Sequence, residues 1–226
     1  MFGPLTRADI ESYSYDVVRN KIRCGMPSCP VCNTHPSFFK RHQARSRKFR
    51  ILCDALVQVV LCLVIRWKCP GCNKTFTQQP PFALPGKRYT RDTILDLSGC
   101  YLEDETATYR SAVLEDGIEL FHASTSGEDA PSYKTLSHST PYRWITTLGG
   151  LKEILRRAQD VILRKTPAST VCRDLAALEI SHKKYVKAAR EGVLKRCRRL
   201  IHLEAQFRAA FQVSIFPFFA TSCAWR

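Results

Sequence analysis

The sequence predicts an α+β chain, mostly α, and three observations carry that reading. Two cysteine pairs, Cys29-Pro-Val-Cys32 and Cys69-Pro-Gly-Cys72, bracket an extended stretch rich in β-branched residues. Helical periodicity broken by proline and glycine takes over beyond residue 89. Charge is distributed in blocks. Residues 1–89 hold 15 Lys and Arg against 4 Asp and Glu, residues 90–150 hold 4 against 10, and residues 151–226 hold 16 against 6.

Each pair has the C-P-x-C form, in which one tight turn can present both sulfurs to one ion. Two such pairs supply the four soft thiolates of a tetrahedral zinc site. Residues 1–80 are therefore expected to form a zinc ribbon, a β-hairpin with two zinc knuckles, with Cys29, Cys32, Cys69 and Cys72 as ligands of Zn2+. Disulfides, a redox pair and free thiols are the alternatives, and Cys24, His35 or His42 could each replace one thiolate. Eleven cysteines is an odd number, and no basic patch followed by an apolar run opens the chain. Both facts predict a reducing, cytoplasmic setting. Cys53, Cys62, Cys100, Cys172, Cys197 and Cys223 read as small core hydrophobes.

The run from Ile51 to Ile65 carries Asp54 and Gln58 and is too short to cross a membrane. It leads through Arg66-Trp67-Lys68 into Cys69, which suits a strand feeding the second knuckle. Lys40, Arg41, Arg45, Arg47, Lys48 and Arg50 lie between the knuckles with no carboxylate before Asp54. They are expected to form a phosphate-contacting hairpin. A net charge of +15 points to a polyanion, and no lipidation motif favours a membrane.

A stiff linker at 81–89 precedes a helix-turn-helix-like domain at 90–150. Thr90 can cap a helix through Ile94, Leu97, Tyr101 and Leu102, and Thr106 or Thr108 opens a short helix through Tyr109, Ala112 and Val113. In Ser139-Thr-Pro-Tyr-Arg-Trp144 the proline suits the first helical position, with Thr140 as N-cap and Gly149-Gly150 as the stop. His138, Ser139, Thr140, Tyr142 and Arg143 would then gather at an exposed helix start, the end that reads bases in helix-turn-helix proteins. About 25 residues separate the Tyr109 and Trp144 helices, far more than the compact motif uses.

The strings Arg66-Trp-Lys-Cys-Pro-Gly-Cys-Asn-Lys-Thr-Phe76, Pro80-Pro-Phe-Ala-Leu-Pro-Gly-Lys-Arg-Tyr89, Thr108-Tyr-Arg110 and Ser139–Trp144 resemble the zinc-binding and helix-turn-helix front ends of bacterial insertion-sequence transposases. They also resemble a bacterial family of unknown function with the same order of parts. The resemblance spans roughly residues 20–150. It implies a DNA-binding head with the four cysteines on zinc and Thr140, Tyr142 and Arg143 on DNA.

Residues 151–226 read as a basic helical region. Leu151, Ile154, Leu155, Ala158, Val161 and Ile162 form one amphipathic helix, and Ser169 or Thr170 caps a second. A third carries Lys183, Lys184, Lys187, Arg190, Lys195, Arg196, Arg198 and Arg199, either as a solvated face or as a second phosphate surface. The apolar tail Val213–Ala220 should either pack on the core or bury itself in a partner, as a homodimer contact. No Gly-rich phosphate loop, nucleophile elbow or trio of metal-binding carboxylates is evident, so catalysis is not expected. The function expected is zinc-dependent, non-catalytic binding of double-stranded DNA, nucleoid-associated and linked to a transposase or other mobile-element protein. The rivals are RNA binding, with Phe38, Phe39, Phe49 and Trp67 as stacking platforms, a protein-interaction adaptor, and a cut-down transposase.

Overall fold

The computed structural model describes residues 5–53, 56–115, 118–122, 134–180 and 186–216. The chain is α+β and divides into two compact units, the first ending at Asp92 and the second running from Thr93 to Phe219.

The first unit opens with α1 (Arg7–Val18), which sequence reasoning left unassigned. A capping box starts it: the Thr6 hydroxyl accepts from the Asp9 N–H, and the Asp9 carboxylate accepts from the Thr6 N–H at 2.7 Å. Those contacts hold the Asp9 carboxyl below its ordinary range. After a single 3₁₀ turn at Pro36–Phe38 come β1 (Lys40–Cys53), β2 (Leu56–Lys68) and β3 (Thr75–Gln78). They form a three-stranded antiparallel sheet with β2 between its partners. Lys40 stands opposite Lys68 and Phe49 opposite Val60, with one bulge between Arg41 and Gln43. Of the Ile51–Ile65 run, Ile51–Cys53 close β1 and Leu56–Ile65 lie in β2, the β-branched strand that feeds the second knuckle; Asp54 and Ala55 lie outside the described residues. At the far edge of β1, the Arg50 N–H donates to Arg88 O and the Thr90 N–H to Arg50 O.

Two apolar clusters hold this unit. Ile10, Phe49, Ile51, Val60, Cys62, Val64 and Phe82 make one, with the Phe49 ring edge-on to Phe82 at 5.4 Å. Val17, Phe39, Ile65, Trp67, Phe76, Cys29 and Cys69 make the other. Gln78 ties an otherwise irregular segment to the sheet. Its side-chain oxygen accepts from Trp67 Nε1 at 2.8 Å and from the Gly25 N–H at 3.0 Å, while its nitrogen donates to Arg23 O.

The second unit contains α2 (Arg91–Glu103), whose first two residues belong to the first unit, then short strands β4 (Leu114–Glu115), β5 (Ile118–Glu119), β6 (Phe121–His122) and β7 (Lys134–Thr135). Four helices follow: α3 (Ser139–Gly149), α4 (Lys152–Lys165), α5 (Val171–Ala177) and α6 (Ala188–Phe211). The first three all pack on α6, whose Leu194, Cys197, Leu200, Leu203 and Phe207 are buried. The approach of α3 to α6 is close at Gly149. A Cβ there would lie 2.7 Å from Val193 Cγ1 and nearer still to the Val193 carbonyl oxygen.

Several expectations are corrected here. The helix expected through Tyr109 is a single 3₁₀ turn, Ser111–Val113, closed by hydrogen bonds between Thr108 and Ser111 and running straight into β4. Helix α3 starts at Ser139 with His138 at the N-cap, so Thr140 lies inside the first turn and Pro141 is buried. Residues 124–131 lie outside the described residues, as do Lys183, Lys184, Cys223 and tail residues 217–220. Ile215 and Phe216 are buried, and the Ile215 N–H donates to the buried Glu204 carboxylate at 2.8 Å. Cys62 and Cys197 are core residues, whereas Cys100 and Cys172 are exposed. One-turn spacing alone does not distinguish a helix's wet side from its dry one.

The basic residues of α6 mostly satisfy the chain itself. Arg196 Nε donates to Gly149 O at 2.8 Å, at the end of α3, and Arg199 to Ala176 O at 3.0 Å, at the end of α5. Arg198 donates to Glu179 O. Arg190 reaches Thr146 Oγ1 at 2.6 Å and Tyr142 O at 3.1 Å, with its guanidinium 4.1 Å over the Tyr142 ring. Lys195 bridges Glu179 and Glu191. The last carbonyls of a helix lack intrahelical partners and carry partial negative charge, so a guanidinium is a fitting donor. Replacing Arg196 by Ala should destabilise the protein by about 1–2 kcal/mol, since the Gly149 carbonyl loses a charged donor. Urea unfolding of Arg196→Ala against the native protein measures this.

Candidate metal centre

Both knuckles are built the same way. In the first, the Cys29 N–H donates to Thr34 O at 2.9 Å and the Asn33 N–H to Cys29 O at 2.8 Å. In the second, the Cys69 N–H donates to Lys74 O at 2.9 Å and the Asn73 N–H to Cys69 O at 2.9 Å. Proline after the first cysteine pre-sets its φ for the turn. Asn33 and Asn73 close the turns at φ 56° and 60°, left-handed values that asparagine tolerates better than most residues. Sequence reasoning passed over these asparagines, although C-P-x-C-N is spelled identically in both knuckles.

The hairpin register brings the knuckles together. Lys68, opposite Lys40, is followed at once by Cys69, while the first knuckle joins Lys40 through the 3₁₀ turn. The sulfurs of Cys29, Cys32, Cys69 and Cys72 lie within 4.8 Å of one another. Cys29 Sγ is 3.5 Å from Cys72 Sγ, and Cys32 Sγ is 3.4 Å from Cys69 Sγ. A tetrahedral ion with metal–sulfur bonds of about 2.3 Å sets its ligand sulfurs about 3.8 Å apart. Four soft donors at this spacing can hold a metal ion.

Charge gives a second reason for a cation. Burial pushes the Cys69 thiol up, but the Cys72 N–H, the neighbouring Thr34 and Cys32 side chains and the Gly71 N–H outweigh it and bring it down to about 6. The Thr34 hydroxyl, 3.1 Å from Cys32 Sγ, likewise lowers Cys32. The Lys74 N–H pulls Cys72 down, yet burial and its three sulfur neighbours push it up to about 12. Packed thiols therefore do not all ionise alone. A divalent cation would remove that conflict and displace the thiol protons.

Beneath the sulfurs, Cys29 and Cys69 join the apolar cluster in which Phe39 and Phe76 stack at 5.8 Å. Among the described residues neither Cys24 nor His35 belongs to the sulfur group. Burial raises the Cys24 thiol, and His35 Nδ1 caps the 3₁₀ turn, accepting from the Ser37 N–H and pairing with the Ser37 hydroxyl at 2.8 Å.

The other sequence-predicted residues fall into two groups. On the hairpin, Lys40, Arg45 and Lys48 are exposed. Arg41 donates to the Asn20 side chain. Arg47 is half-buried, with its fork on Gln79 Oε1 at 2.8 Å and Lys87 O at 2.9 Å. Directly opposed residues of an antiparallel ladder share a face. Lys68, opposite Lys40, and Arg66, opposite Gln43, therefore lie on the face that also carries Arg45. Both were read only as strand. In the second unit His138 and Arg143 are exposed, Ser139 and Thr140 half-buried, and Tyr142 is exposed beneath Arg190, with its ring edge-on to Tyr109 at 5.4 Å.

No family model matches this chain, nor does any curated protein or solved structure. Nothing in these comparisons indicates a transposase-like family.

The second knuckle requires glycine where the first has Val31. A Cβ on Gly71 would lie 2.6 Å from Thr34 Oγ1 and 3.0 Å from Cys32 Sγ, whereas Val31 is 61 % exposed. Gly71→Ala should weaken metal binding about 10- to 100-fold, the usual range for disturbing what orients a ligand. Val31→Ala should leave it unchanged. Competition against a chromophoric chelator reads both.

Proposed function

We propose that this protein binds double-stranded DNA without catalysing a reaction on it, through a hairpin organised by a zinc ion. Zinc is the choice because four thiolates in a closed site suit a structural metal that needs no open position. The observation that carries the reading is uncompensated charge on the hairpin. Every described carboxylate of the first unit is engaged elsewhere: Asp9 with Thr6, Glu11 with Arg7, Asp16 with Lys21 and Asp92 with Arg91. Among the described residues no ion pair reaches Lys40, Arg41, Arg45, Arg47, Lys48, Arg66 or Lys68.

Lys40 and Lys68 stand directly opposite each other, an arrangement that destabilises a bare sheet and that a bridging anion relieves. Phosphates supply such anions, and counterion release drives their binding. Such contacts position the protein without reading sequence. Base reading belongs in this proposal to the start of α3, with Arg143 as the exposed donor and His138, Ser139, Thr140 and Tyr142 around it. The link to a mobile element rests on the sequence resemblance alone.

Duplex is favoured over single-stranded RNA by the fate of the aromatics. Phe39, Phe49 and Trp67 are buried, which leaves Phe38, 65 % exposed, as the one remaining platform of the four. The contrast with α6, where Arg190, Arg196, Arg198 and Arg199 donate to carbonyls, supports the hairpin over the carboxyl-terminal helix as the phosphate-contacting surface.

Anisotropy titration of a labelled duplex over a range of salt tests this. Affinity should fall steeply with salt, and Lys40→Ala/Arg45→Ala/Lys68→Ala should flatten the log–log slope by about 0.9 for each phosphate that is no longer neutralised. Arg196→Ala should leave the slope unchanged. Binding indifferent to salt, or a slope untouched by the triple variant, would refute the hairpin as the contact. Selection from random duplexes, native against Arg143→Ala, checks base reading separately.

A further inference from the structure

We propose that the four-sulfur centre is a peroxide-sensitive site that, on oxidation, closes into two disulfides running between the knuckles, Cys32–Cys69 and Cys29–Cys72, and releases its metal. The proposal rests on the metal reading of the centre and is independent of DNA binding.

Access selects the first sulfur. Cys32 is exposed, whereas Cys29 and Cys69 are buried and Cys72 half-buried. The Thr34 hydroxyl, 3.1 Å from Cys32 Sγ, can donate to the sulfur when it is a thiolate. Cys32 is therefore where a small peroxide from solvent meets a metal-bound thiolate first. Contact selects the second. Cys69 Sγ lies 3.4 Å from Cys32 Sγ, on the other knuckle and out of solvent's reach. The remaining two sulfurs, Cys29 and Cys72, are already 3.5 Å apart.

The chemistry balances. The Cys32 thiolate attacks a peroxide oxygen, the O–O bond breaks, hydroxide leaves, and the sulfur becomes a sulfenic acid. The Cys69 thiolate then attacks that sulfur, forming the S–S bond and expelling a second hydroxide. Two protons from solvent turn both hydroxides into water. A second peroxide oxidises Cys29 and Cys72 in the same way. Disulfide sulfurs are neutral and poor ligands, so the divalent ion departs unchanged in oxidation state.

Pairing across the knuckles has a consequence that pairing within each C-P-x-C would not. The covalent ties join the same two turns that the ion joined, so the base of the hairpin stays closed without metal.

The test uses the full-length protein loaded with zinc, its metal content confirmed beforehand by elemental analysis so that failure of the metal reading is seen separately. Hydrogen peroxide is added, released zinc is followed with a chromophoric chelator, and disulfides are mapped by mass spectrometry after non-reducing digestion. Expected are complete zinc release at two peroxides per ion, Cys32–Cys69 and Cys29–Cys72 cross-linked peptides, and recovery of the site on reduction and zinc addition. Links within the knuckles, Cys29–Cys32 and Cys69–Cys72, would overturn the proposal. So would zinc that stays bound while other cysteines, such as the exposed Cys100 and Cys172, are consumed.

Discussion

The register between β1 and β2 is the constraint on which the first unit depends. Because Lys40 faces Lys68, the two turns carrying the cysteines end side by side and four sulfurs converge. Side chains alternate across a strand, so a slip of β1 by one residue would turn Phe49 and Ile51 away from Val60 and Val64. The core thus fixes the register, and the register sets the metal geometry. A metal bound there would in turn fix the open end of the hairpin. Neither element has to be strong alone.

Electrostatics separates two regions of similar sequence charge. On the hairpin, cations face one another with no carboxylates to pair with. On α6 the guanidiniums are spent on carbonyls at the carboxyl ends of α3 and α5, at Gly149 and Ala176, and just beyond α5 at Glu179. The difference is one of geometry. A strand projects alternate side chains away from the sheet, while a central helix with three neighbours offers its long side chains unsatisfied carbonyls within reach. Net charge counts both regions alike.

What was legible in the sequence follows from how local its physics is. The cysteine quartet was legible because metal chemistry demands a spacing, and β2 and α2 because branching and periodicity act within a few residues. Helix α1 was not, since its apolar residues are few and its start depends on the Thr6–Asp9 exchange. The expected Tyr109 helix fails because the Thr108–Ser111 hydrogen bonds close a tight turn that runs into strand. The roles of Thr34, Gly71, Arg66 and Lys68 depend on partners distant along the chain, which spacing cannot reveal. The inward arginines of α6 were hidden for the same reason.

That α6 follows the three helices packed on it has a bearing on how the protein is made. Synthesis proceeds at about 5–20 residues per second, and domains close as units when their last piece emerges. The first unit has its sheet by Gln78 and can consolidate early. Helices α3, α4 and α5 must wait for their shared support, which is finished only at Phe211. Until then Trp144, Ile154 and Leu175, buried in the finished unit, lack the surface that covers them.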